Sequence, residues 1–576
     1  MKKQTKLVAV LSTAALLAIG ASMTSFAATG WAEEDGTWVY YDRNGDKVTD
    51  KWAKSGNNWY YLDSNGEMAV DTLIEDGDNY YYVDVNGVMA ANQWVAIDNE
   101  DAGQDDEPEH YWYYFQANGK ALKQGDSSTV ALKTVNGKKY AFDDEGKMLY
   151  GWVAADNAER IDNSDNDAFK EADYYFGGED DGAMTTGWLL VDITYDEATN
   201  DYEIAPAFND DEDQSRWFYF KSNGKMVKSS SSDETKDKTI NGKKYTFDQY
   251  GAMVAEWSLD KEKASSSLGE ATVSAVEKTG SNAKYSQSWR YFNSVEDGSR
   301  VSKGWFKVVP AEYLNQGKYN DDEDAWYYAD GSGNLYAGEF KTIKGKKYAF
   351  RNDGRMINGL KFIRKDADGL TVKADDDDDY NFDTEDDFIK NSIDFYLKNN
   401  YNCYYFGGSE DGSMKTNKTS ITIDGDNFNF YFEKSGSNKG AGLTGEKDDK
   451  YYLAGMLVKA GSDEKYQVVK KVTLSNGKVA YQKLDDAKAF LDDVAHTTPT
   501  ADSNGKVTIG GTNAGSVTKK SDDLKEAYDV TTPSDTYFLV NTSGSVVDKK
   551  SKSKDGDDYV FVTGTKGVII GVYVED

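Results

Sequence analysis

The 576-residue chain carries a formal net charge of -34, with 39% hydrophobic and 14% aromatic residues. So few apolar residues argue against one large globular enzyme, 41 Tyr and 13 Trp argue against acidic disorder, and the excess of carboxylates disfavours nucleic acid as a partner. The single Cys403 excludes internal disulfides and a cysteine zinc cluster, while His110 and His496 leave little for acid–base chemistry.

Residues 1–27 read as a signal peptide. Lys2, Lys3 and Lys6 form a basic end, Leu7 to Gly20 is an apolar stretch short for a membrane span, and Ser25-Phe26-Ala27 places small residues before a cleavage point after Ala27. No second apolar segment follows, so no transmembrane segment is expected after cleavage. The terminal Gly571–Asp576 carries no LPxTG-type signal, and any attachment to a cell surface is therefore expected to be non-covalent.

Residues 28–93 hold three compact units, WAEEDGTWVYYDRNGDKVTD, WAKSGNNWYYLDSNGEMAVD and LIEDGDNYYYVDVNGVMAAN. Each is an aromatic strand, an Asn/Asp/Gly turn and a second strand, which is the pattern of a β-hairpin repeated about every 20 residues. Asn-Gly pairs recur at Gly45, Gly66, Gly87, Gly119, Gly137, Gly224, Gly242, Gly359, Gly477 and Gly505, where positive φ is needed. Met68, Met89, Met148, Met184, Met226, Met253, Met356 and Met414 each follow a turn glycine by two residues.

Across residues 94–460 a second period appears. The unit TVNGKKYAFDDEGKM returns as TINGKKYTFDQYGAM and TIKGKKYAFRNDGRM, with Tyr140, Tyr245 and Tyr348 spaced by 105 and 103 residues. Between these compact units lie two long ones, giving super-repeats of three hairpins. The long units carry insertions between their strands at 98–110, 156–173, 209–216 and 373–388, most of them acidic, with helical turns expected near Glu270–Glu277 and Asp383–Leu397. Residues 461–576 contain weaker copies near Phe538 and Tyr559 and read as degenerate hairpin repeats, for about 17 hairpins in all.

Units such as GAMTTGW at 182–188, set beside Trp-Tyr-Tyr strands, resemble the choline-binding or cell-wall-binding repeats of Gram-positive surface proteins. Related repeats occur in glucan-binding regions of glucosyltransferases and in clostridial toxin arrays. The resemblance covers residues 31 to about 456. It implies an all-β solenoid of stacked β-hairpins, each turned about a third of a revolution from the last, with ligand cages framed by aromatics of neighbouring hairpins. Compact units would then share one face.

Such cages attract quaternary ammonium groups and also stack on sugars. The candidate ligand-binding residues are Trp31, Trp38, Trp52, Trp59, Tyr61, Trp94, Trp112, Trp188, Trp217, Trp257, Trp289, Trp305 and Trp326. Strand alternation puts Trp59 and Tyr61 on one face and Tyr60 on the other. The competing reading is that these rings glue hairpins together, because an isolated hairpin is marginal in water. A three-ring cage gives about millimolar affinity, which several cages on one polymer would raise.

The expected function is that of a secreted, non-catalytic protein binding cell-wall polymer, either teichoic-acid choline or a glucan or other glycan. An extracellular adhesin or scaffold whose acidic loops meet a host or neighbouring cell is the alternative. A wall-active enzyme with its domain hidden in 461–576 is the third. No cofactor is expected and no metal ligands are assigned, since no acidic run has EF-hand spacing. No catalytic residues are assigned either: carboxylate pairs arise by chance among 100 acidic residues, and Cys403 reads as packed strand.

Overall fold

The computed structural model describes residues 29–104, 106–156, 158–194, 214–230, 235–269, 272–273, 282–373, 384–533, 536–549 and 553–576. The signal peptide, most of the 270–277 segment and much of the insertions at 209–216 and 373–388 lie outside the described residues. The described chain is mostly β, with short helices confined to insertions and the C-terminal part. It divides into two units, Met1–Glu256 with Phe292–Arg300, and Trp257–Tyr291 with Val301–Asp576.

The first unit is a succession of separate two-stranded antiparallel sheets. Gly30–Glu34 pairs with Thr37–Tyr41, Lys51–Ser55 with Asn58–Leu62, Thr72–Asp76 with Asn79–Val83, and Gln93–Asp98 with His110–Phe115. The pattern continues through Lys133–Val135 with Lys138–Tyr140, Trp152–Val153 with Tyr174–Tyr175, Gly187–Ile193 with Gln214–Phe220, and Thr235–Ile240 with Lys243–Asp248. Two-residue turns with positive φ, such as Asp35-Gly36, Asn136-Gly137 and Asn241-Gly242, match the right-handed twist of their strands.

Most Asn-Gly pairs do something else. Gly45, Gly66, Gly87, Gly119 and Gly224 lie in the five-residue turn that follows the second strand. In three of these turns an Asp carboxylate accepts two backbone N–H groups, as Asp63 does from Asn65 at 2.9 Å and Glu67 at 2.8 Å. The turn sends the chain back over its own hairpin and on to its predecessor. The Met68 N–H donates to the Trp38 carbonyl at 2.7 Å, Met148 to Trp112 at 2.7 Å, and Met253 to Trp217 at 2.8 Å. Each methionine side chain then lies where a Cβ on a later turn glycine would sit: Met68 under Gly87, Met89 under Gly119, Met148 under Gly182. The spacing of Gly and Met seen in the sequence is therefore an inter-hairpin joint.

The core is thin and periodic. The residue before the turn is fully buried at Leu62, Val83, Phe115, Phe142, Phe220 and Phe247, and Val39 is the fully buried residue of the first hairpin. The insertions at 98–110 and 156–173 do run between the strands of long hairpins.

The second unit repeats the plan in Gly304–Val308 with Ala325–Ala329 and Glu339–Ile343 with Lys346–Phe350. Helical structure expected near 383–397 is present at Glu385–Lys398, capped by the Thr384 hydroxyl on the Asp387 N–H. A helix at Lys261–Leu268, capped by Asp260, was not expected.

In residues 461–576, read from the sequence as degenerate hairpin repeats, antiparallel strand pairs join into wider sheets. Tyr466–Thr473 is the centre of a three-stranded sheet with Val479–Lys483 and Tyr537–Asn541, and Ile569–Glu575 the centre of a five-stranded one. A larger apolar cluster explains the change. Val468, Phe490, Leu539, Phe561 and Val572 form a buried cluster, so wider sheets can share one core. The turn chemistry of the repeat survives at Asp502, Asn541 and Asp555, each accepting two backbone N–H groups.

Candidate ligand-binding site

Three aromatic clusters recur, one in each super-repeat. Each takes a tryptophan from the first strand of a long hairpin, another from its second strand, and the tyrosine of the following compact hairpin. The sets are Trp94, Trp112 and Tyr140; Trp188, Trp217 and Tyr245; and Trp305, Trp326 and Tyr348. Ring centroids of Trp94 and Tyr140, Trp188 and Tyr245, and Trp305 and Tyr348 are 4.9, 4.9 and 4.8 Å apart, all edge-on. Trp188 meets Trp217 at 6.3 Å and Trp305 meets Trp326 at 6.4 Å, nearly perpendicular. The tyrosines are buried and the six indoles are half-buried, leaving part of each open to solvent. Met148, Met253 and Met356 complete the floors.

Smaller versions occur in the first repeats. Trp31 packs on Tyr40 and Tyr60, each at 5.2 Å, and Trp52 on Tyr61 at 5.1 Å and Tyr81 at 5.0 Å. Tyr60 thus serves the previous hairpin and Tyr61 its own, in line with strand alternation. Trp38 is half-buried, and Trp59 is exposed with the Lys54 ammonium 5.7 Å from its ring.

Trp257 and Trp289 are corrections. They are 4% and 0% exposed, in contact with each other at 6.3 Å, so they belong to the packing and offer no face to a ligand. A helical insertion explains this at Trp289, because Tyr285 within the helical turn Ala283–Ser286 covers it at 6.2 Å, while Trp257 is enclosed by Tyr291, Phe306 and Tyr327 at 5.1, 5.7 and 5.0 Å.

Carboxylates border two of the clusters. The Trp112 indole N–H donates to Asp180 at 3.1 Å, and the Trp326 indole N–H to Glu410 at 3.0 Å. Next to each, a lysine of the compact hairpin meets an aspartate: Lys138 and Asp181 at 3.1 Å, Lys346 and Asp411 at 4.0 Å, with Lys243 and Asp297 at 3.0 Å in the second super-repeat. Burial pushes the Tyr140 and Tyr348 phenols above their ordinary range, keeping both neutral. Sequence reasoning missed the three tyrosines as site members, although their spacing was the available signal. The carboxylates had no such signal within the acidic background.

Among the described residues no group of three or more His, Cys, Asp or Glu is arranged to hold a metal ion. No helix among them is long and apolar enough to cross a membrane. Cys403 is buried, and that burial raises its thiol well above the usual range, consistent with packed strand.

Comparison with known proteins gives a choline-binding repeat match at residues 28–72 and 48–94, and a cell-wall-binding repeat match at 212–226. Glucosyltransferase-S of Streptococcus mutans is 27% identical over 379 residues, 59% of this chain and 22% of that protein. The choline-binding domain of Spr1274 from Streptococcus pneumoniae is 30% identical, covering 17% of this chain and 96% of that one, with a TM-score of 0.13. The autolysin LytC of Streptococcus pneumoniae is 18% identical, covering 58% and 54%, with a TM-score of 0.28. The chain thus spans about half of the autolysin and under a quarter of the glucosyltransferase. Residues 28–94 thus match the choline-binding repeat, and residues 212–226 match the cell-wall-binding repeat.

Proposed function

We propose that this chain is a secreted, non-catalytic surface protein that holds cell-wall polymer in aromatic cages between consecutive hairpins. The observation that carries this reading is the threefold recurrence of two half-buried tryptophans and one buried tyrosine at matching separations. Packing alone does not require each set to leave indole surface open. Within each unit, the joint between each methionine and the neighbouring hairpins supports the solenoid-like stacking expected from the repeats.

Cation attraction favours a quaternary ammonium, such as choline, over a neutral glycan. Each ring contributes about 0.5–2 kcal/mol, and Asp180 and Glu410 add negative charge at two rims. The test is retention of the mature protein on choline-matrix and insoluble-glucan columns, with elution by the free ligand. Retention on choline supports the reading. No retention on either column or on purified walls sinks it. The glucosyltransferase likeness keeps a glycan as the second ligand class, and specific glucan retention would select it.

A further inference from the structure

Beside the second aromatic cluster lies an open groove of about 550 Å³, bounded among others by Tyr219, Lys221, Asn223, Lys238, Thr239 and Asn241. Its charge is opposite to that of the chain. Lys238 stands directly across the strand pair from Tyr245, and Lys236 across from Phe247, so both lysines share the face on which Trp188 packs. Tyr219 belongs to groove and cluster alike, with its ring 5.0 Å from Trp188.

Nearby lysines have carboxylate partners: Lys228 meets Asp173 at 3.4 Å and Lys243 meets Asp297 at 3.0 Å. Among the described residues Lys221, Lys225, Lys236 and Lys238 have no ion pair. Burial, and then the charges of Lys238, Lys225 and Lys236, hold the Lys221 ammonium below the usual lysine range. In the corresponding positions of the other two super-repeats, Lys221 is replaced by Gln116 and Asp330, and Lys236 by Ala131 and Glu339. The four-lysine set is particular to this cluster, in a chain where acids outnumber bases 100 to 66.

We propose that this groove is an anion subsite that takes a phosphate group, so that the second cluster reads a cation and a phosphate carried by one polymer. Ammonium groups supply the charge, while the Asn223 and Asn241 amides and the Thr239 hydroxyl supply donors of the kind a phosphate needs. The cation half rests on the cage reading above. The phosphate half stands on the groove.

Equilibrium dialysis of the mature protein with inorganic phosphate, choline and phosphocholine separates the two. Wild-type protein is expected to bind phosphate saturably and to take phosphocholine about 3- to 10-fold more tightly than choline at low salt. The double variant K221Q/K238Q is expected to lose both phosphate binding and this preference while keeping choline binding. The charge-matched K120Q/K133Q, at the first super-repeat positions that correspond to Lys225 and Lys238, should retain all three properties. Absence of saturable phosphate binding, or equal losses in the two variants, overturns the subsite. Phosphate binding without choline binding keeps the subsite and removes the cage reading.

Discussion

Met148 fills the space that a Cβ on Gly182 would need, its Sδ and Cε well inside van der Waals distance of that position. The same methionine donates its backbone N–H to the Trp112 carbonyl. One residue thus ties together three successive repeats.

Gly182→Ala should therefore be costly in two ways. Its φ of +56° strains any L side chain, by about 1 kcal/mol, and the new methyl meets Met148, adding about 1–3 kcal/mol of overpacking. In a Met148→Ala background only the strain should remain. Amide hydrogen exchange across residues 139–182 reads the difference, and equal costs in both backgrounds would show that the methionine contact is immaterial.

Half-buried and buried tryptophans should separate function from stability. Trp188→Ala and Trp305→Ala each remove one ring of a cage, weakening that cage for a quaternary ammonium about 2- to 30-fold. Trp289→Ala, at a position with 0% exposure, should instead cost about 3–5 kcal/mol of stability and leave the affinity of folded protein unchanged. Choline titration beside thermal melting checks both.

Glu410→Gln tests the sign of the ligand. It keeps an oxygen for the Trp326 N–H, bonded now at 3.0 Å, but removes the negative charge. Affinity of the third cage for choline should fall about 2- to 5-fold, with no change toward a neutral oligosaccharide.

Asp143 gives a pH dependence of definite direction. Burial raises its carboxyl to about 6, although it accepts the Glu145 and Lys147 N–H groups at 3.0 and 2.8 Å. The folded state binds this proton more tightly than the unfolded chain does. Its ionised form is therefore destabilising above pH 6, and stability is regained as pH falls from about 6 toward 4. Asp143→Asn keeps an acceptor and should flatten that window in melts at stepped pH. Asp42, at the same turn position but solvated, is shifted downward by the Asp46 N–H first, so its contribution runs the other way and is lost only in stronger acid.

Cys403, 1% exposed, should resist thiol reagents in the native protein and react fully after denaturation. Rapid native labelling would contradict its place in the core.

Much of this architecture was legible because the repeat writes turn chemistry directly into residue types. Asp63, Gly66 and Met68 recur as a set since each has one geometric job: accept two amides, take positive φ, bridge to the next turn. The hairpins and the insertions between strands followed. Trp257 and Trp289 were not distinguishable from Trp305 and Trp326, because Trp289 is covered from a helical insertion with no repeat signature and Trp257 by Phe306 and Tyr327 of the next hairpin. Residues 461–576 were only partly legible for the opposite reason. Asn541 and Asp555 keep the turns of the repeat, while the strands between them exchange tryptophan for valine and isoleucine and join into larger sheets.

The methionine joints also set how the chain meets an oxidant. Met148, Met226, Met253 and Met356 are buried, whereas Met68, Met89 and Met184 are partly open. Conversion of the open thioethers to sulfoxides would place a polar oxygen against Gly87, Gly119 and Gly224. Peroxide damage should then begin at those three joints and spread inward as neighbouring repeats part, in an order that peptide mapping of sulfoxide over time can follow.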